Sequence, residues 1–195
     1  MKRTIHLFLL ILLLTMPCLA QEFRPWEVFA GYSFQRADLR EYYKTTPIIY
    51  TFRQNNVNLN GWEAAVTENV NHWFGGTLEL SGYYKTPQLL GVSNSERMYT
   101  ILYGPRFSYR KPYGTAFVQG LLGAAKTSVN VVPTGPHAND YSFAMDIGGG
   151  VDLTLTNQAA VRLLQLDYLR TNALSSGQNN YRLSAGIVFH FGKAK

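Results

Sequence analysis

Tyr141-Ser142-Phe143-Ala144-Met145-Asp146-Ile147-Gly148-Gly149-Gly150-Val151-Asp152-Leu153-Thr154 changes character at almost every step. Tyr141, Phe143, Met145, Ile147, Val151 and Leu153 have one parity; Ser142, Ala144, Asp146, Gly148, Gly150, Asp152 and Thr154 have the other. Successive side chains of a strand point to opposite faces, so this is a strand with one apolar face and one small or polar face. Gly148-Gly149-Gly150 is not followed by the Lys-Ser/Thr of a phosphate-binding loop, and it lies mid-strand. It reads as room for bending and close packing.

The same period recurs on both sides. Trp26, Val28, Ala30, Tyr32 and Phe34 alternate with Glu27, Gly31, Ser33 and Gln35. Phe74, Leu78, Leu80 and Tyr84 alternate with Gly75, Thr77, Glu79 and Ser81. Tyr99, Ile101, Tyr103 and Phe107 alternate with Thr100, Gly104, Arg106 and Ser108. Tyr181, Leu183, Ala185, Ile187, Phe189 and Phe191 alternate with Arg182, Ser184, Gly186 and His190. Three further stretches carry a weaker signal. Residues 58–70 set Trp62, Ala64, Val66 and Val70 against Glu63, Thr67 and Asn69; residues 114–127 are blurred by Gly and Ala. In 159–171, Arg162 has the parity of Leu164, Leu166 and Tyr168. Either a bulge near Leu163 re-phases the strand, or Arg162 sits at a rim where charge is tolerated.

Eight strands result, and their connections sort by length. The long ones are 35–57, 85–96, 128–140 and 171–179; the tight ones are 71–73, 110–113 and 156–158. Long loops at one end and short turns at the other are expected of an all-β, eight-stranded antiparallel transmembrane β-barrel, wound up and down. A sandwich has no reason to sort its loops this way. Aromatics concentrate near strand ends, with Leu, Ile, Val, Ala and Met between them, as in an apolar band flanked by two aromatic girdles. A secreted lipocalin-like barrel would instead need many charges on its outer face.

The N-terminus reads as an address. Lys2 and Arg3 precede the apolar run Leu7–Leu14, and Cys18-Leu19-Ala20 offers small residues before Gln21. This fits a signal peptide over 1–20, cleaved between Ala20 and Gln21, with the barrel domain over 21–195. The apolar run is short for a ~20-residue membrane helix. Of the 195 residues 15% are charged and 14% aromatic, with a net charge of +6. Without 1–20 the charge falls to +4 and the only cysteine is gone, so no thiol, disulfide or Cys-based metal site is expected. A charge this modest, spread along the chain, gives no support to nucleic-acid binding.

Ser184-Ala185-Gly186-Ile187-Val188-Phe189-His190-Phe191 has the pattern polar-x-Gly-x-x-aromatic-x-aromatic. It resembles the terminal strand by which outer-membrane barrels are recognised by their assembly machinery, which makes Ser184, Gly186, Phe189 and Phe191 a candidate assembly signal. With Val28-Phe29-Ala30-Gly31-Tyr32-Ser33-Phe34, Tyr103-Gly104-Pro105-Arg106-Phe107, Val161-Arg162-Leu163 and Asp167-Tyr168, the chain resembles the OmpA-type membrane domain, the family of small eight-stranded outer-membrane barrels. The resemblance covers 22–192. It implies a bacterial outer-membrane location and says little about activity. Larger members add a peptidoglycan-binding domain, and nothing in this resemblance implies that function.

Candidate chemistry is sparse. His72, His137 and His190 are scattered without metal-ligand spacing, and no Ser lies within two residues of His72. Ser184 is the only near hydroxyl on the face of His190. No catalytic, cofactor or metal site is expected. The polar face is more informative. Glu63, Glu79, Asp146, Asp152 and Asp167, with Arg106 and Arg182, are expected to form a polar network in a lumen just wide enough to be filled by side chains. Folding the last hairpin about residue 175 brings Asp167 opposite Arg182, provided that the bulge turns Asp167 inward. The expected role is a non-enzymatic structural or surface-interaction barrel; a narrow pore or transport barrel is the alternative, and a lipid-modifying enzyme a weaker one. Expected partners are outer-membrane lipid and lipopolysaccharide, the barrel assembly machinery, and an external partner met by the basic and aromatic segment 35–57. A monomer is expected.

Overall fold

The computed structural model describes residues 23–45, 48–85, 88–89, 92–131, 137–172 and 177–193. The expected signal segment 1–20 and the Ala20/Gln21 cleavage site lie outside the described residues. The elements are β1 (Trp26–Thr45), β2 (Ile48–Asn69), β3 (Phe74–Lys85), β4 (Gln88–Leu89), β5 (Val92–Lys111), β6 (Gly114–Val131), β7 (His137–Thr156), β8 (Ala159–Thr171) and β9 (Gln178–Phe191). β4 is a two-residue piece that pairs only with the start of β5. The other eight form an antiparallel up-and-down sheet, with β3 paired to β5 directly. β1 pairs with β9 from Trp26↔Phe191 to Ala37↔Asn180, so the sheet closes on itself as a barrel. Closure leaves every barrel strand with two neighbours and no free edge.

Of the stretches read from sequence as long loops, 35–57, 85–96 and 128–140 are largely strand. β1 and β2 stay paired to Thr45↔Ile48, and β6 and β7 pair out to Asn130↔His137. The hairpins continue past the lipid-facing band. Beyond it neither face has to be apolar, so the period-two signal fades while the hydrogen-bond ladder persists.

The register shifts between Arg162 and Gln165 in the β8–β9 ladder. Leu163 and Leu164 are both exposed on the outside, and Arg162, Gln165 and Asp167 are all buried inside. The bulge is therefore present, and Arg162 sits in the lumen rather than at the rim. The glycine run of β7 provides close approach: a Cβ on Gly148 would collide with the Asp167 carboxylate, and one on Gly150 would lie 2.9 Å from the Phe117 ring.

The two faces separate cleanly. Outside, Val66, Leu78, Leu80, Ile101, Val118, Leu122, Ile147, Leu166, Leu183 and Ile187 are exposed. Toward the short turns this band meets Trp26, Trp73, Phe74, Phe107, Phe189 and Phe191, with Trp73 stacked on Phe107 at 5.9 Å. Toward the long hairpins it meets Trp62, Tyr84, Tyr99, Tyr141 and Tyr181. So much contiguous apolar surface is untenable in water and suits bilayer hydrocarbon. Inside, an apolar layer that includes Leu59, Tyr83, Met98, Leu102, Leu121 and Leu169 lies toward the long hairpins. A smaller one, Phe29, Ala65, Ala160 and Val188, lies toward the short turns. At the short-turn end Arg24 donates to the carbonyls of Asn157 (3.0 Å) and Gly192 (2.7 Å), tying the two ends of the barrel chain together.

Candidate functional site

The lumen carries two linked clusters of charge. The first is nearer the short turns. Glu27 on β1 accepts from Arg110 on β5 at 2.7 Å and from Asn69 on β2 at 2.8 Å. Arg110 also donates to the His72 carbonyl and to Asn69, so the turn after β2 is fastened to the wall of β5. Asp152 on β7 is held by Nε and Nη2 of Arg162 at 2.8 and 3.1 Å, a two-pronged pair, and Arg106 on β5 approaches it at 3.3 Å. The guanidinium of Arg162 lies 4.1 Å from the Phe29 ring centroid and 4.4 Å from that of Phe117; the guanidinium of Arg106 lies 3.6 Å from Phe117. Two cations thus share one aromatic ring in a site removed from water, where cation–π attraction is at its strongest.

The second cluster is nearer the long hairpins and centres on Arg182 of β9. Its Nη1 lies 2.7 Å from Glu79 on β3; its Nη2 lies 3.0 Å from Asp146 on β7 and 3.5 Å from Asp167 on β8. Arg182, Glu79 and Asp146 have essentially no exposed side-chain surface. Asp167 is the direct register partner of Arg182. Glu63 on β2 accepts from Ser184 (2.7 Å) and from Gln165 (2.9 Å). Hydroxyls of Tyr83, Ser33 and Ser184 follow one another at 2.8 Å toward that carboxylate.

Gln165 joins the two clusters. Its amide nitrogen donates to Glu63 and Asp167, and its oxygen accepts from Arg162 at 2.6 Å. All seven charged residues singled out from parity face the lumen. Arg106 and Asp152 meet each other; Glu79, Asp146 and Asp167 gather around Arg182; and Glu63 joins them through Gln165. Parity also reaches Glu27, which alternates with the apolar residues of β1. The roles of Arg110, Gln165, Phe29 and Phe117 have no such signal, because they depend on what lies across the barrel.

The candidate assembly residues fall on both faces. Phe189 and Phe191 point outward with ring centroids 6.4 Å apart. Ser184 is buried in the lumen, and Gly186 pairs with Gly31 across the closing seam, where an added Cβ would strike the Phe29 ring and the Ala30 carbonyl. His190 lies 4.0 Å from Glu27, whereas the Ser184 hydroxyl is engaged with Ser33 and Glu63. His137 lies where side chains are outside the described residues.

Solved structures give the architecture its context. Neisserial surface protein A superposes with a TM-score of 0.64 at 13% identity, over 86% of this chain and 97% of that one. Ail, the attachment invasion locus protein of Yersinia pestis, gives 0.56 at 15% identity, over 86% of this chain and 99% of that one. The fold is that of the small outer-membrane β-barrels. The N-terminal β-barrel domain of Pseudomonas aeruginosa OprF follows at 0.50 and 12% identity, over 88% of this chain and all of that domain. No protein-family profile matches the chain, and no curated protein matches it by sequence. The lipid-facing band and the architecture together make this an integral barrel of the bacterial outer membrane.

Proposed function

We propose that this barrel is a non-enzymatic envelope protein with a closed lumen, which stabilises the outer membrane and displays its long hairpins to the exterior. One observation carries the reading: Arg182, with no exposed side-chain surface, is gripped by carboxylates from β3, β7 and β8 across the barrel. An ion would have to displace a buried, multiply paired guanidinium to pass. Single-channel recording of the refolded protein in planar bilayers tests this. The expected trace is free of discrete conductance steps in the parent. Regular steps would establish the alternative, a narrow pore whose charged lining tunes ion passage.

The partners fit the same picture. Lipopolysaccharide and outer-membrane lipid surround the band, and hairpin 35–57 is the natural surface for an external partner. The assembly machinery is engaged through Phe191, the outward-facing last aromatic of β9. Phe191→Ala is expected to lower the amount of protein in the outer membrane and to leave chain in the periplasm. Because Phe191 is about half exposed (52%), its loss opens no cavity in the lumen, so stability of the refolded barrel should change little. Fractionation of cells expressing each form reads the first effect and urea unfolding reads the second. Equal membrane levels for variant and parent would remove Phe191 from the signal.

A further inference from the structure

The short-turn end of the lumen opens into a cavity of about 380 Å³. Short turns of an outer-membrane barrel lie on the periplasmic side, so the cavity faces the periplasm. Its lining is rich in donors. Thr115 on β6 and Thr154 on β7 share the inward parity of Phe117 and Asp152, and they border the cavity together with Thr156. Oγ1 of Thr156 accepts from the backbone N–H groups of Gln158 and Ala159, which leaves its hydroxyl hydrogen to donate. The acid of the lining, Glu27, is buried and already accepts from Arg110 and Asn69. Arg24 is placed differently. Its Nε and Nη1 are clamped by the carbonyls of Asn157 and Gly192, both neutral acceptors, and among the described residues no carboxylate pairs with it. The Nη1/Nη2 edge keeps N–H groups that can take both oxygens of an oxyanion. Because the guanidinium is already held, little ordering remains to be done on binding.

We infer that this cavity binds a small organic oxyanion of the periplasm, a carboxylate or phosphate on a body the size of a dipeptide or a sugar. Arg24 grips the anion, and Thr115, Thr154 and Thr156 donate around it. The donor excess selects an acceptor-rich ligand, and a cation would meet Arg24 with nothing to neutralise either charge. The volume is that of an ordinary small-molecule site and is larger than a bare ion fills. Phe23 and Pro112, also in the lining, offer apolar surface to the organic body. The inference uses only the orientation of the barrel and holds whether or not the lumen conducts.

The test is a two-dimensional NMR titration of the isotope-labelled barrel, refolded in a non-ionic detergent. The probes are N-acetyl-alanyl-alanine, its C-terminal amide, glucose 6-phosphate, glucose and inorganic phosphate. One or both of the organic anions should shift the backbone amides of the 154–159 turn, and which of them binds tighter tells carboxylate from phosphate. Arg24→Gln should weaken that binding about tenfold, as expected for the loss of a charge-assisted hydrogen-bonded pair. Thr115→Val/Thr154→Val, which keeps the volume and leaves the Arg24 clamp in place, should weaken it about fivefold. Lys126→Gln, at the long-hairpin end, should bind as the parent does. The gel shift on heating verifies that each variant is folded. Absence of binding by both organic anions would overturn the assignment. So would equal binding of the amide or of glucose, inorganic phosphate binding as tightly as glucose 6-phosphate, or undiminished binding by the Thr115→Val/Thr154→Val variant. A marked gain in affinity on Glu22→Gln would make the chain's own carboxylate the occupant and overturn it as well.

Discussion

Arg182→Ala is expected to lower the urea midpoint of the refolded barrel more than any other single loss of charge. The substitution strands Glu79, Asp146 and Asp167, which now have Arg182 within 3.5 Å. Breaking a buried ion pair by removing one partner typically costs ~3–5 kcal/mol, because the remaining charge stays out of water. Here three carboxylates, from β3, β7 and β8, are left around one vacated space, so the upper part of that range is expected, offset to the extent that water enters it. Asp167→Ala should cost less, about 1–2 kcal/mol, because Arg182 keeps Glu79 and Asp146. The double variant should fall short of the sum, since losing Asp167 removes one of the charges that Arg182 was neutralising. Unfolding of the four proteins in lipid vesicles measures the coupling. Strict additivity would mean that the two side chains do not interact.

Phe117→Ala should be the second large effect. The ring lies beside two guanidiniums and against Gly150. Truncating a buried Phe typically costs ~3–5 kcal/mol through lost contacts and a cavity. Phe117→Leu separates the two contributions. It restores much of the volume but offers no π-face, so its remaining deficit, about 1–2 kcal/mol, reports the cation–π share. A Leu variant as stable as the parent would show that the ring serves as volume alone.

How much of this was legible in the sequence follows from the pleat. A strand with one lipid-facing side announces its faces residue by residue, so Glu79 with Thr77 and Ser81, and Asp146 with Ser142 and Gly148, are placed by parity alone. Parity fails where the ladder slips. Arg162 stays ambiguous until the bulge places Leu163 and Leu164 on the same side. It fails again beyond the lipid, where Thr45↔Ile48 pairs with no hydrophobic pattern to advertise it. Partners across the lumen leave no local trace: Gln165 and Glu63 meet although 102 positions apart, and nothing near either one specifies the other. Arg110 was read as part of a tight turn, and its grip on Glu27 becomes visible only when the barrel closes.

That distance in sequence has a consequence for cooperativity. Asp152 with Arg162, and Asp167 with Arg182, lie on neighbouring strands. Glu63, Glu79 and Asp146 find their partners, and Glu27 finds its counter-charge Arg110, on strands that are not their neighbours in the sheet. A half-built sheet would therefore hold carboxylates with no counter-charge, in addition to two unpaired edges. Those groups must remain hydrated until β1 reaches β9, and only the final joint lets water leave the interior. The ion network works as a latch on the whole circumference, so the barrel is expected to close, and to open, in one step rather than hairpin by hairpin.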